Sequence, residues 1–146
     1  SCRWDYHLYA NTEDGEKPLY EAEDKPFAMS PKDLKLVESI PTMIEMGIDS
    51  LKIEGRMKSI HYIATVVSVY RKVIDAYCED PDNFVFKEEW ITELNKCANR
   101  ETAPAFFEGV PNHKEQMFGN HNNKTTHDFA GLVLSINFAA RICVEP

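Results

Sequence analysis

The segment 50–59 constrains the fold of this chain more than any other stretch of its sequence. It begins with alternating apolar and charged residues, and this period of two predicts a β-strand over residues 48–54. Gly55 then ends the run, and residues 60–77 carry apolar side chains at three- and four-residue steps, which predicts a helix. In parallel α/β proteins, ligands bind where strands end and such turns begin. The segment therefore predicts a β-α unit with a functional turn.

Two more helices are predicted on either side of this unit. The first begins at Pro31, which suits the first helical position, after Ser30 as its cap. Asp33 then favours the positive end of the helix dipole, and Gly47 closes the helix as a left-handed cap. The second covers residues 88–98. The predicted inward residues are Trp90, Ile91, Leu94 and Cys97 there, and Ile60, Ile63, Ala64, Val67, Tyr70, Val73, Ile74 and Tyr77 in the long helix.

Strand-like and loop-like stretches occupy much of the remaining chain. Residues 27–29 form a short apolar run that is typical of a strand tip, and Gly131 begins a further strand. Residues 11–25 are acidic and contain a glycine and a proline, which indicates an exposed hairpin or loop. The polar residues 119–128 predict a mobile loop.

Composition and charge argue against two classes of protein. The 146 residues, 43% of them hydrophobic, suffice for one ordinary soluble domain. Polar side chains interrupt the long predicted helix, so we expect no transmembrane helix. A net charge of -8 argues against an unspecific grip on nucleic acid, which needs a basic face. Basic residues nevertheless cluster around the charged turn, and they are Lys52, Arg56, Lys58, Arg71 and Lys72.

The cysteines and histidines show no familiar metal or nucleophile pattern. The cysteines form no CxxC pair, which argues against a small disulfide scaffold and favours a reducing, cytoplasmic compartment. Cys2 is interpreted as a buried thiol or a metal ligand, and the other cysteines as packing residues. The histidines match no standard zinc spacing, and no GxSxG elbow is present. These residues are Cys2, Cys78, Cys97, Cys143, His113, His121 and His127.

Lys52 and Glu54 are the first candidates for chemistry. In a strand they lie on one face, about 7 Å apart along the pleat. If that face points into a barrel or cleft, the two charges must pair, hydrogen-bond or meet a ligand, because an unpaired buried charge is costly. Arg56 follows the glycine, where its forked guanidinium can hold a carboxylate or phosphate. The pattern predicts a site for an anionic substrate, and the alternative is a cluster of salt bridges without chemistry.

Three ordered motifs carry a resemblance to a known family. They are residues 1–6 (Ser-Cys-Arg-Trp-Asp-Tyr), residues 29–34 (Met-Ser-Pro-Lys-Asp-Leu) and residues 49–59 (Asp-Ser-Leu-Lys-Ile-Glu-Gly-Arg-Met-Lys-Ser). With them the chain resembles the collagenase-like peptidase family U32, in the branch that includes the bacterial tRNA uridine 5-hydroxylation proteins. The likeness is strongest in the first half of the chain and extends through residue 75.

The resemblance implies an α/β fold with two parts. Residues 1–100 would form the terminal β-α units of a (β/α) barrel-like catalytic domain, and residues 101–146 a linker and the start of a small, incomplete β-domain. The first residues include no initiator methionine, so we expect a processed chain or a C-terminal fragment. The final residues, 136–146, depart from the family's continuation. Because many strand ends of the barrel would be absent, we expect the isolated chain to be inactive.

The resemblance also implies a function and its residues. It implies prephenate-linked hydroxylation of the tRNA wobble uridine, with tRNA or another RNA as partner and no membrane. The alternatives are a peptidase acting on collagen-like proteins and a non-catalytic accessory module. Several members carry an iron–sulfur cluster, so Cys2 is carried over as a ligand of a 4Fe–4S cluster whose other ligands would lie before Ser1. Together with the charge pattern, this function leads us to assign Glu54 and Lys52 as catalytic residues and Arg56, Lys58 and Arg3 as substrate-binding residues.

Overall fold

The long helix predicted after the charged turn is confirmed and organises the fold. The structure is a computed structural model, and it describes residues 4, 6–18, 27–98, 100–110, 116–118, 127, 130–136 and 140–143. The helix, α2, spans Ile60–Glu79. The Ser59 hydroxyl accepts a hydrogen bond from the backbone N–H of Tyr62 at 3.1 Å. This cap stabilises the helix start, because it satisfies one N–H group that has no partner within the helix.

Three helices pack around one hydrophobic core. A 3-10 turn at Val37–Ser39 leads into helix α1, Ile40–Glu45, and helix α3 spans Glu88–Cys97, as predicted. Helix α2 packs against both α1 and α3. The core contains no buried charged residue among those that the structure describes. Its buried members are Val37, Ile40, Met43, Val66, Val69, Val73, Trp90, Leu94 and Cys97.

The buried face of α2 is rotated from the predicted one. Val73 and Tyr77 are buried as predicted, but the remaining buried positions of α2 are Val66 and Val69. The reason is that α2 packs between two helices instead of lying on a sheet. Four predicted inward residues consequently stay exposed, and they are Ile60 (64%), Ile63 (37%), Ala64 and Val67 (47%).

The prediction of a helix beginning at Pro31 is wrong. Strand β3 spans Phe27–Pro31 and strand β4 spans Asp33–Leu34, so the backbone is extended through this motif. Strand β4 pairs in parallel with β5, Thr102–Ala103. The local capping signal was overridden by this distant pairing, in which the Asp33 N–H donates to Glu101 O at 2.9 Å. The helical region begins only after Leu36, although Gly47 does take the predicted positive φ, 78°.

The predicted strand over residues 48–54 is also not formed. This segment follows α1 and pairs with no other strand in the described part of the chain. An isolated strand cannot satisfy its backbone donors and acceptors, so the alternation of apolar residues is not sufficient to form one. The apolar side chains of Leu51 and Ile53 are accordingly about one third exposed.

The remaining strands form short antiparallel pairs. Strands β1 (Tyr9–Thr12) and β2 (Gly15–Pro18) make the predicted exposed hairpin, whereas residues 19–25 lie outside the described residues. Strand β3 pairs with β6 (Gln116–Phe118). The strand predicted from Gly131 is β7, and it pairs with β8. The bounds of this last pair are Leu132–Ile136 and Ala140–Cys143.

The architecture is therefore a mixture of three helices and short strands among the described residues. Within that part of the chain, no helix is both long and apolar enough to cross a membrane. The predicted loop over residues 119–128 falls almost entirely outside the described residues.

Candidate functional site

A cavity of about 320 Å³ lies beside the charged segment 50–59. The cavity is lined by helix α2, by β4 with Leu36 and Met43, and by the exposed residues 51–54, which form its rim. Apolar side chains supply the rest of the lining. The side chains of Asp33, Lys58, Tyr62 and Tyr70 are half-buried, so charge interactions among them are stronger than in bulk water. The six polar residues that line the cavity are Asp33, Lys52, Glu54, Lys58, Tyr62 and Tyr70.

Asp33 joins two cations at one side of this cavity. Its Oδ2 atom contacts Lys58 Nζ at 2.9 Å, and its Oδ1 atom contacts Arg100 Nη1 at 3.1 Å. Arg100 is fixed further, since its Nη2 donates to the carbonyl of Pro31 at 3.1 Å. The three side chains are only 20% (Lys58), 25% (Asp33) and 29% (Arg100) exposed. We call this set the Asp33 network.

Glu54 and Arg56 shape the turn at the rim. The carboxylate of Glu54 accepts a hydrogen bond from the backbone N–H of Arg56 at 3.2 Å. The Lys58 N–H donates to the carbonyl of Gly55 at 2.9 Å, which closes the turn before α2. The Arg56 side chain is exposed and does not line the cavity. Because this hydrogen bond fixes one carboxylate oxygen of Glu54, its second oxygen points in a defined direction.

The predicted site residues are thus only partly brought together. Lys52, Glu54 and Lys58 line one cavity, and Arg56 lies just outside it. Arg3 and Cys2, which the family resemblance suggested, lie outside the described residues.

Sequence reasoning missed two members of the site. Asp33 was interpreted as a helix-start residue, and Arg100 follows a helix in a stretch without periodicity. The sequence signal that could have identified Asp33 was a charged residue placed shortly after the apolar run of residues 27–29. No local pattern could have joined it to Arg100.

The two tyrosines of the cavity remain protonated at neutral pH. Burial raises the pKa of Tyr70, although its hydroxyl also accepts a hydrogen bond from the Leu36 N–H at 3.1 Å, which acts in the opposite direction. Burial also raises the pKa of Tyr62, and the nearby Asp33 carboxylate raises it further. The Lys58 ammonium lies 4.9 Å from the centre of the Tyr62 ring, within the range of a cation–π contact. Both hydroxyls can therefore act as hydrogen-bond donors to a ligand.

The described residues form no metal or cluster site. No group of three or more His, Cys, Asp or Glu side chains among them could hold a metal ion. Cys97 is buried in the core, where its thiol donates to Leu94 O at 3.3 Å and burial raises its pKa, so it packs as predicted. Cys78 is exposed and unpaired with another cysteine. His113 and His121 lie outside the described residues.

Gly55 is required because the turn passes directly over α2. A Cβ at this position would lie 2.7 Å from Ile63 Cγ1, closer than Cβ atoms pack, and 3.1 Å from Ile63 Cδ1, which is a tight contact. Gly55→Ala should therefore lower the free energy of unfolding by about 1–3 kcal/mol. Ile63→Ala in the same chain removes both atoms and should relieve part of this cost.

A double-mutant cycle measured by urea unfolding tests this contact. We expect the cost of Gly55→Ala to be at least about 0.5 kcal/mol smaller when residue 63 is alanine. Strictly additive effects of the two substitutions would show that the turn does not rest on Ile63.

The chain belongs to peptidase family U32, because the sequence model of that family matches residues 1–117. The resemblance inferred from the three motifs is thus confirmed. The chain is similar to tRNA hydroxylation protein P1 of Bacillus subtilis, with 73% identity over 135 residues, which is 92% of this chain and 32% of the relative.

Two further relatives differ from each other in function, since one is described as a tRNA hydroxylation protein and the other as a collagenase. The tRNA hydroxylation protein P of Haemophilus influenzae is 40% identical over 68% of this chain and 21% of its own length. A collagenase of Porphyromonas gingivalis is 38% identical over 51% of this chain and 20% of its own length. The chain therefore spans about a third or less of these relatives. No solved structure matches it.

Proposed function

We propose that this chain is part of a cytoplasmic enzyme that hydroxylates the wobble uridine of tRNA in a prephenate-linked reaction. The observation that carries this proposal is the 73% identity to tRNA hydroxylation protein P1 over 92% of the chain. The identity to the collagenase is 38% and covers 51% of the chain. Because the chain spans 32% of the hydroxylation protein, the activity is assigned to the full-length protein.

The cavity supports this function through its cations. RNA carries one phosphate per nucleotide and prephenate carries two carboxylates, so either ligand calls for Lys or Arg donors. We assign Lys58, Arg56 and Arg3 to substrate binding. We assign Lys52 and Glu54 to organising the reacting groups at the rim, where both line the cavity. Cys2 remains a proposed ligand of a 4Fe–4S cluster, and no step here depends on it.

The proposed fold of the catalytic part, residues 1–100, is the terminal portion of a (β/α) barrel. Strands β4 and β5 are parallel, and the chain between them contains all three helices, which is the connection that parallel strands require. Residues 48–54 alternate as a strand does and would pair if flanking strands were supplied by the full-length protein. The antiparallel pair β7–β8 supports a small β-domain over residues 101–146.

Mass spectrometry of tRNA nucleosides tests the proposed function. A strain that lacks the gene should lose 5-hydroxyuridine and its derivatives from tRNA, and the full-length wild-type gene should restore them. Unchanged hydroxyuridine in the deletion strain would contradict the proposal. If purified full-length protein then cleaved a collagen-like peptide and a chelator stopped it, the peptidase function would replace it.

A further inference from the structure

We infer that Asp33 and Arg100 are positioning residues that hold the Lys58 ammonium at the wall of the cavity for an anionic group of the substrate. This inference rests on the proposed function for the role of Lys58. The orientation of Lys58 by the Asp33 network does not depend on that function, because it follows from the observed contacts.

Asp33 is placed rigidly by the backbone around it. Its N–H donates to Glu101 O at 2.9 Å, and the N–H of Lys35 donates to Ala103 O at 3.0 Å, so β5 holds the strand on both sides of the carboxylate. A carboxylate that is fixed by a strand pair can fix its partners, because little side-chain freedom remains to be lost. The side chain has only two rotatable bonds beyond this backbone.

The network joins three parts of the chain that are distant in sequence. Lys58 comes from the turn before α2, Asp33 from β4, and Arg100 from the junction between α3 and β5. Arg100 also donates to the carbonyl of Pro31, so its guanidinium bridges the carboxylate and the backbone of the preceding strand. Arg100 thereby restrains the carboxylate that holds Lys58.

The Asp33 network places a cation at the cavity. Lys58 lines the cavity, and its side chain is 20% exposed. The face of the Tyr62 ring lies 4.9 Å from Lys58 Nζ and restrains the ammonium from a further side. An anion that enters the cavity meets an ammonium whose direction is already set, which lowers the entropy lost on binding.

The test measures the NMR signal of the Lys58 ammonium group. Full-length protein with 15N-labelled lysine is examined by proton–nitrogen NMR, in which an ammonium signal is detected when an ion pair slows its proton exchange. Lys58→Met identifies the signal by its disappearance. We expect Asp33→Asn, which keeps the shape of the side chain but removes its charge, to broaden the signal markedly, because proton exchange becomes faster when this ion pair is lost.

A matched control comes from the neighbouring ion pair, whose two residues directly precede β4 and β5. Lys32 Nζ contacts Glu101 Oε2 at 2.8 Å, and Glu101→Gln breaks this pair without touching Lys58. The Lys58 signal should survive in Glu101→Gln. Asp33→Glu restores the charge and should recover the signal, a rescue that a general loss of folding would not allow.

The same variants are then compared in the deletion strain by the hydroxyuridine content of tRNA. Asp33→Asn and Lys58→Met should each lower it about tenfold or more, since small displacements of a binding group can cost a hundredfold in rate. Glu101→Gln should remain near the wild-type level.

Each contrary outcome has a distinct meaning. An unchanged Lys58 signal in Asp33→Asn would overturn the positioning role. Normal hydroxyuridine in Asp33→Asn, with loss in Lys58→Met, would also overturn it while leaving the proposed function intact. Normal hydroxyuridine in Lys58→Met would remove Lys58 from the site and overturn the inference together with that part of the proposed function.

Discussion

Trp90→Ala is expected to lower the free energy of unfolding by about 3–5 kcal/mol, the range found when a large buried aromatic side chain is removed. Trp90 is 5% exposed and joins α3 to the core. Its ring stacks near Phe84 at 6.1 Å between centroids and meets the edge of Phe86 at 5.1 Å. Such aromatic pairs contribute beyond their buried area.

The loss should be large because the core is close-packed, so removal of the indole leaves a cavity that the surrounding side chains fill only partially. Phe84 is also held by Tyr77 of α2, in an edge-to-face pair with centroids 5.3 Å apart. Truncating Trp90 therefore removes the contact that couples α2 to α3 through the connecting segment.

Urea unfolding followed by circular dichroism measures this effect, with Val85→Ala as the control. Val85 lies in the same connecting segment but is exposed, so its truncation should change stability by less than about 0.5 kcal/mol. A cost below about 1 kcal/mol for Trp90→Ala would mean that α3 is not anchored by this aromatic cluster.

Helices α2 and α3 could be predicted from the sequence because their signals are local, whereas α1 begins at Ile40 and not at Pro31. The helix α2 begins directly after its cap residue, Ser59, and α3 carries acidic residues in its first turn and Lys96 in its last. Both features favour a helix whatever surrounds it. Which face of α2 would be buried depends on α1 and α3, so the predicted face was only partly correct.

The strands depend on partners that lie far away along the chain. Pro31 and Asp33 form a good local helix start, yet the pairing of β4 with β5 takes precedence, across a gap of more than sixty residues. Residues 48–54 show the opposite case, since their alternation is that of a strand but no described strand pairs with them. Local pattern alone cannot supply a hydrogen-bonding partner.

The residues of the candidate site, like the elements of the fold, could be predicted only where the signal lies within a short stretch of the sequence. Lys52, Glu54 and Lys58 could be identified because they are close in sequence and alternate with apolar residues. The partner of Lys58 is 25 residues away, and Arg100 reaches back 69 residues to Pro31. Contacts at such separations are set by the fold, so the Asp33 network was visible only in the structure.

The variant Glu54→Ala, Arg56→Ala should have the largest effect on function. Glu54 lines the cavity and binds the backbone of Arg56, so the double substitution removes one charge from the cavity and one beside it and frees the turn. If these residues handle an anionic substrate, hydroxyuridine in tRNA should fall by about tenfold or more, because both binding and orientation are lost. The binding of tRNA should also depend less steeply on salt, since one cation has been removed.

The matched control is Asp14→Ala, Lys17→Ala. These two residues form an exposed ion pair at the β1–β2 hairpin, so the control also removes one basic and one acidic side chain. Exposed pairs of this kind contribute little to stability, and this pair does not line the cavity beside Glu54. The control should therefore retain hydroxyuridine near the wild-type level.

The most direct measurement is the hydroxyuridine content of tRNA, by mass spectrometry, in a deletion strain carrying either double variant or the wild type of the full-length gene. We expect the wild type and Asp14→Ala, Lys17→Ala to restore the modification and Glu54→Ala, Arg56→Ala to fail while reaching the same protein level. Normal hydroxyuridine with Glu54→Ala, Arg56→Ala would contradict the assignment of segment 50–59 to the functional site.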